Sequence, residues 1–359
     1  MLGDRPQVYR GTRERSSLLA DYRADVVVAF SQTVTSLQWR AAAEAWISRR
    51  LAERGMAIVG PIRQPRVRPW STQLTVPTDA GEVWFKANCP PMAFEGALQR
   101  AIHGLAPETV QEPIAVAPEY GWMLTADHGP SLGETGSPTA AEWAALLAEA
   151  GSLQQRLRAA GTELRATGMP DCSPRTVPAR FEALRRQLRE YPPTHPGHLS
   201  ADDDAQLERA RPALSAAAAR LTESPWPASW NHGDLHPWNA YRDDGRIRLF
   251  DLGDGQWAHA LELLAVPYDW IEQQEGLDWA DVLGGYLDAW GIETVTEEDW
   301  RDMRVVRAVN RALTWAAWLD LTNADELAQY GGEPEEHLLS VLDELGERER
   351  PRTLYASGA

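Results

Sequence analysis

The chain of 359 residues contains one lysine, Lys86, and arginine supplies all its other basic charge. Basic residues are few overall: 35 stand against 52 acidic ones, a net charge of -17. That balance argues against nucleic acid and anionic membranes as main partners, and is compatible with a cationic small molecule. Cysteine is equally scarce. Cys89 and Cys172 form neither a metal motif nor a disulfide framework, so a cytoplasmic location is expected. No apolar run is long enough to span a bilayer, and the Met-Leu-Gly-Asp-Arg start has no signal-peptide core. No internal repeat is present. With 43% hydrophobic and 24% charged residues, the composition is that of a globular protein large enough for two sub-domains.

What is present centres on Trp230-Asn231-His232-Gly233-Asp234-Leu235-His236-Pro237-Trp238-Asn239, with Asp251 twelve residues further on. An Asp and an Asn five apart, then a second Asp after a hairpin, is what phosphoryl transfer requires. One carboxylate takes the proton of an attacking hydroxyl, while the amide and the later carboxylate hold Mg²⁺ against nucleotide phosphates. Residues 228–231 read as a strand entering the loop. Residues 239–241 and 246–250 read as two strands joined by Asp243-Asp244-Gly245, which returns Asp251 beside Asp234. Another reading stays open: on a regular strand His232, Asp234 and His236 would share a face and could bind the metal of a hydrolase. Gly233 and Pro237 break such a strand.

Elsewhere, residues 26–30 read as one strand. Residues 35–54 read as a helix with an apolar stripe of Leu37, Ala41, Ala45, Ile47 and Leu51. A hairpin over residues 71–87 turns at residues 78–81, and residues 90–104 read as a helix. Residues 121–129 form a strand running into a polar connection. From Ser137, a candidate cap, the chain turns helical, with Thr139 and Glu142 spaced as a capping box. Further helices cover residues 177–191, 202–222 and 301–321, the tail from 347 being frayed.

The loop His232-Gly233-Asp234-Leu235-His236-Pro237-Trp238-Asn239 resembles that of the aminoglycoside phosphotransferase family, whose pattern is His-Gly-Asp-x-His-x-x-Asn. The resemblance implies an α+β, two-lobed protein-kinase-like fold: an N-terminal lobe with an antiparallel sheet over residues 1–124, and a mainly helical lobe over residues 125–359. It makes Asp234 the catalytic base, His232 a loop-shaping residue of the catalytic segment, and Asn239 and Asp251 the metal ligands. Lys86 would contact the nucleotide phosphates, held by Glu95 on the following helix. Ser71 would meet a phosphate in place of a Gly-x-Gly-x-x-Gly loop, which the chain lacks. Backbone groups from Thr125 to Asp127 would meet the purine edge.

The implied activity is a small-molecule kinase using ATP, with GTP as the other candidate, and Mg²⁺. The acceptor would be an aminoglycoside or other antibiotic, an amino sugar or an amino alcohol, and the protein a monomer or homodimer. A nucleotide-binding protein without transferase activity is the further alternative. Three residues depart from the family pattern or leave their role open. Trp238 stands where many relatives have glycine; it would either wall the substrate pocket or pack on Trp230 or Trp257, with packing as the expectation. Ala260 stands where proline is common, leaving Glu262 the nearest acid. Asp254 is read as turn chemistry rather than a metal contact.

Overall fold

Alternation along one strand organises the smaller lobe. In β3 (Gly81–Asn88), Val83, Phe85 and Ala87 enter an apolar core, while Trp84 and Lys86 face a cleft. The computed structural model describes residues 28–346. β3 pairs with β2 (Ser71–Thr78) and β5 (Trp122–Ala126) in a five-stranded antiparallel sheet. β1 (Arg63–Val67) and β4 (Ala115–Ala117) complete it in the order β1-β2-β3-β5-β4. The expected lobe boundary at residue 124 falls inside β5.

Helix Leu37–Ala52 covers this sheet, its first turn capped by the Ser36 hydroxyl, which accepts from the Trp39 N–H at 3.2 Å. Its buried face differs from the expected stripe. Leu37 is 90% exposed, and Ala41 and Ala45 also face solvent; Ala43, Trp46, Ile47 and Leu51 are buried. Two indoles set the rotation. Trp39 and Trp46 pack edge-on against Phe85 and Trp122, burying more apolar area than alanines could. Of the strand expected at residues 26–30, the first two residues lie outside the described range, as does the tail from 347. Phe30 opens a short helix, Phe30–Val34, instead.

The expected helix at residues 90–104 splits into a 3-10 turn, Pro90–Met92, and an α-helix, Glu95–Leu105. Leu98 and Ile102 of this helix enter the core of the larger lobe, not that of the sheet. The larger lobe is built on helix Ala140–Leu157, whose Trp143, Leu146, Leu147, Ala150, Leu153 and Leu157 are all buried. Thr139 caps it in a reciprocal box with Glu142, so Ser137 is not the cap. Helix Trp279–Trp290 packs along it, and helices Val177–Glu190, Ala201–Glu223, Glu297–Ala316 and Glu333–Glu344 pack on one another within the same core, Ala324–Tyr330 lying between the last two in the chain. No helix among the described residues is long and apolar enough to cross a membrane. Cys89 and Cys172 are free thiols and buried.

Between the lobes lie two small sheets. β6 (Ala228–Asn231) pairs with β9 (Gln256–His259), a strand the sequence pattern did not reveal. β7 (Ala240–Asp243) and β8 (Arg246–Leu249) form the expected hairpin. Asp244 at φ 46° and Gly245 at φ 79° give its two-residue turn the left-handed backbone that matches strand twist.

Polar groups lock this region to the helices. Buried Gln154 donates to the Trp230 and Ala260 carbonyls at 2.9 and 3.2 Å, and accepts from the Tyr286 hydroxyl at 2.7 Å. Glu262, also buried, accepts from the Asn310 amide at 3.0 and 3.1 Å. Replacing Gln154 with Leu should cost about 1–3 kcal/mol in urea unfolding, since the buried Trp230 carbonyl loses its side-chain donor while the Ala260 carbonyl keeps only the Tyr286 hydroxyl. For Glu262, burial pushes the carboxyl up to about 7, against the opposing pull of Asn310 and Arg307. Its folded pKa lies above its unfolded value, so the stability from its neutral form is full below about pH 4.5 and lost as pH rises through 7. Glu262→Gln should remove a decline on the order of 3 kcal/mol from a stability profile between pH 4.5 and 8.

Candidate active site

Because side chains alternate along β3, Lys86 points out of the small-lobe core into a cleft of about 1140 Å³ between the lobes. Its ammonium lies 2.7 and 2.9 Å from the two Glu95 oxygens and 2.5 Å from Asp251 Oδ1. Glu95 is fully buried yet well satisfied: Asn88 Nδ2 donates to it at 2.5 Å and the Leu252 N–H at 3.0 Å. Burial works against the Lys86 charge, but Asp251 and Glu95 outweigh it and hold the ammonium well above the usual lysine range. For Asp251 burial likewise opposes ionisation, and Lys86 holds its carboxyl below the ordinary carboxylate value.

Asp251 follows β8 in a left-handed conformation, φ 59° and ψ 63°. That conformation is strained for a non-glycine residue and is held here by its surroundings. The Phe250 N–H donates to the Asn239 carbonyl at 3.1 Å, and His232 Nε2 donates to the Phe250 carbonyl at 3.0 Å. His232 is completely buried, which lowers its pKa and keeps the imidazole neutral. It therefore pins the loop to the residue before Asp251. Gly233, at φ 78°, passes so close to Asp254 that a Cβ there would sit 2.2 Å from the Asp254 carbonyl oxygen. Only glycine fits.

Asp234 opens into the cleft beyond this turn. Burial resists its ionisation, but the His236 ring at 3.3 Å, with Arg311 and His232 beyond, holds the carboxyl below its ordinary range. Asn239 Nδ2 donates to the Asp234 carbonyl at 2.9 Å and to its carboxylate at 3.3 Å. These bonds leave Asn239 Oδ1 and Asp251 Oδ2 outside any intramolecular hydrogen bond. Two such oxygens, completed by phosphate oxygens, fit a magnesium ion, which takes oxygen ligands and few from protein. His232, Asp234 and His236 do not converge, because the His232 ring turns to Phe250. No group of three or more His, Cys, Asp or Glu among the described residues is arranged to hold a metal.

Lys86, Glu95, Thr125, Asp127, Asp234, Asn239 and Asp251 all line this one cleft. Ser71 does not. It is buried at the start of β2 opposite Asn88, while Arg66, Arg68 and Trp70 of the same turn reach the cleft. The Asp127 N–H is engaged by the Glu82 carbonyl at 3.0 Å, and its carboxylate accepts from Trp84 Nε1 at 3.0 Å. Thr125 pairs with Trp84 in the ladder.

One cleft residue, Arg311, went unread in the sequence, and two others, Asp254 and Trp238, sit differently from expectation. Arg311, on helix Glu297–Ala316, lies 3.5 Å from Asp254, and burial pushes the Asp254 carboxyl up to about 6. Asp254 thus faces the catalytic loop and Arg311 as well as shaping its own turn. Trp238 packs on neither Trp230 nor Trp257: its ring lies tilted against Trp270 with centroids 5.1 Å apart, and is 42% exposed on the cleft. A helical arginine carries no sequence signal that separates it from surface residues.

Residues 89–306, more than half of the chain, match the family model described as the phosphotransferase enzyme family. No curated protein matches the chain in sequence. Solved structures that superpose on it include a macrolide 2'-phosphotransferase from Brachybacterium faecium, with a TM-score of 0.52 and 16% identity over 85% of this chain and 99% of that one. A choline kinase from Streptococcus pneumoniae gives a TM-score of 0.54 and 13% identity, over 83% and 99% of the two chains. The GDP and kanamycin complex of APH(2")-IIia gives 0.52 and 10% identity, over 85% and 99%. At these identities the likeness carries the two-lobed, kinase-like fold. With the family match it completes the assignment: the chain belongs to the phosphotransferase enzyme family and is a kinase of the small-molecule type.

Proposed function

We propose that the enzyme transfers the γ-phosphoryl group of ATP to a hydroxyl of a small molecule, with Asp234 as the base. The observation that carries this reading is the convergence of Lys86, Asp234, Asn239 and Asp251 on one cleft. Lys86 meets the nucleotide phosphates, and Glu95 keeps its ammonium on that side. Asn239 and Asp251 would hold Mg²⁺, which when bound would neutralise charge on the phosphates. Asp234, ionised across the neutral range, orients the acceptor hydroxyl and takes its proton. The acceptor oxygen bonds the γ-phosphorus as the bond to the β-phosphate bridging oxygen breaks, and ADP leaves. Positioning and electrostatics supply the acceleration, with no covalent intermediate on the protein.

The purine edge is read at Ala126. The Leu124 carbonyl accepts from the Ile114 N–H on the β4 side, and the Asp127 N–H serves β3. By antiparallel alternation Ala126 points to the β4 side, past the last β4 pair, Ala115 with Leu124. Arg68, in the β1–β2 turn, stands where Ser71 was expected to meet a phosphate.

Two measurements test the reading. Asp234→Ala should lower kcat by at least ~10²-fold, the usual worth of a general base, while nucleotide affinity persists. Undiminished turnover would remove Asp234 from the mechanism. ATP with Mg²⁺, at a hundred times its Kd, should stabilise the wild type by about 2.7 kcal/mol in thermal unfolding. Asp251→Ala should lose the Mg²⁺-dependent part; an equal shift in both proteins would show that Asp251 holds no metal.

A further inference from the structure

Edge strand β1 holds one residue more than its partner opposes, and that residue decides where Arg66 points. Arg63 lies opposite Thr75 of β2, so a regular ladder would set Pro65 opposite Gln73 and Arg66 opposite Thr72, on the core face of the sheet. Instead the register shifts at a bulge: Arg66 lies opposite Gln73, and Val67 opposite Thr72. Pro65 suits the bulge, having no N–H to leave unpaired. Gln64 anchors it from the other face, donating to Thr72 Oγ1 at 2.8 Å and to the Val34 carbonyl at 3.2 Å. Gln73 in turn lies opposite Lys86. Directly opposed residues share a face, so Arg66, Gln73 and Lys86 form one row across the sheet, and all three line the cleft. The Arg66 backbone is thus two strands, about 10 Å, from that of Lys86. Arg68, two residues further on, lines the same cleft.

The turn that carries these arginines is braced on both sides. The Arg68 N–H donates to the Ser71 carbonyl at 2.8 Å, closing a loop of Pro69 and Trp70. The Cys89 N–H donates to the Trp70 carbonyl at 2.8 Å and so ties the loop to the end of β3. On the far side the Trp70 ring packs on Trp318 at 5.2 Å and on Tyr330 at 5.6 Å. The backbone beside Arg66 and Arg68 is therefore fixed over the cleft before any ligand arrives.

Both guanidiniums stand open. Among the described residues neither has an ion-pair or hydrogen-bond partner. The carboxylates that share the cleft are engaged elsewhere: Glu95 and Asp251 close on Lys86, and Asp254 on Arg311. Asp234 meets His236, Asp127 accepts from Trp84 Nε1, and Glu134 accepts from the Ser131 N–H and hydroxyl at 2.7 and 2.9 Å. Glu82 stands opposite Pro77, at the other end of β3 from Lys86. A chain of net charge -17 thus leaves two positive charges without counter-charge on the cleft side of one turn. A guanidinium fork matches phosphate oxygens bidentately, and an anion completes it. Lys86, in the same row, already marks where the nucleotide phosphates lie under the proposed function.

We infer that Arg66 and Arg68 clamp the β- and γ-phosphates of the nucleotide. The turn then recognises phosphate by side-chain charge, where a glycine-rich loop uses backbone N–H groups, and selects a nucleoside triphosphate over a diphosphate. This rests on the phosphotransfer reading and adds two specificity residues to it. The test is an apparent Kd from the rise in melting temperature with adenosine, ADP and ATP, each titrated with Mg²⁺ present. Guanosine, GDP and GTP are run in parallel, and the base that binds is followed. Wild type is compared with Arg66→Gln and Arg68→Gln, singly and together. Wild type should bind the triphosphate at least ~tenfold more tightly than the diphosphate. The double variant should lose that preference and at least ~tenfold of triphosphate affinity, while nucleoside affinity stays within about twofold. Triphosphate affinity unmoved by the double substitution overturns the inference, as does an equal fall for the nucleoside or a wild type with no preference for the triphosphate. Each of these leaves the kinase reading standing. No binding of either triphosphate by the wild type overturns both.

Discussion

The Lys86 ammonium, held between Glu95 and Asp251, is the contact on which the cleft depends. It joins β3 and the helix that follows it, Glu95–Leu105, to the end of β8, 165 residues further along the chain from Lys86. β3 is rooted in the small-lobe core through Val83 and Phe85, and the helix in the large-lobe core through Leu98 and Ile102. The bridge therefore sets how the two cores face each other. A buried pair of this kind survives only if each charge has several partners, since the desolvation of one unpaired member costs several kcal/mol. Glu95 meets that condition through Lys86, Asn88 and the Leu252 N–H. The chain's one lysine stands here, where a compact ammonium can reach two carboxylates at once.

From this contact the catalytic segment takes its shape. Lys86 holds Asp251 in a left-handed conformation, the Phe250 carbonyl receives the buried His232 ring, and Gly233 leaves room for the Asp254 backbone. Each restraint acts on a residue next to a functional one and so sets Asp234 and Asn239 on the cleft wall. The two small sheets carry these restraints outward, and Gln154 ties β6 to helices Ala140–Leu157 and Trp279–Trp290. The site is rigid where charge must be placed.

The rest of the cleft is aromatic. Trp70 brings the β1–β2 turn down onto Trp315 and Trp318 of the larger lobe, beside Arg311.

The linear order of residues already carried the chemistry. Asp234, Asn239 and Asp251 lie within one short stretch, and the Asp244-Gly245 turn dictates a hairpin locally, so spacing alone placed them together. Lys86 was legible because it is unique and sits on a strand of strict alternation. Other features depended on partners far along the chain. The buried face of helix Leu37–Ala52 was misread because Phe85 and Trp122, not its own periodicity, choose which side is covered. β9 was missed because four residues form a strand only when β6 lies alongside. Ser71 stays out of the cleft because the start of β2 is buried, while Arg68 reaches it, and Trp238 lines the cleft because Gly133 and Trp270 hold it there. Local spacing and turn chemistry brought Asp234, Asn239 and Asp251 together. The aromatic side of the cleft was decided by packing between distant segments, because burial and the direction of a side chain are properties of its neighbours in space.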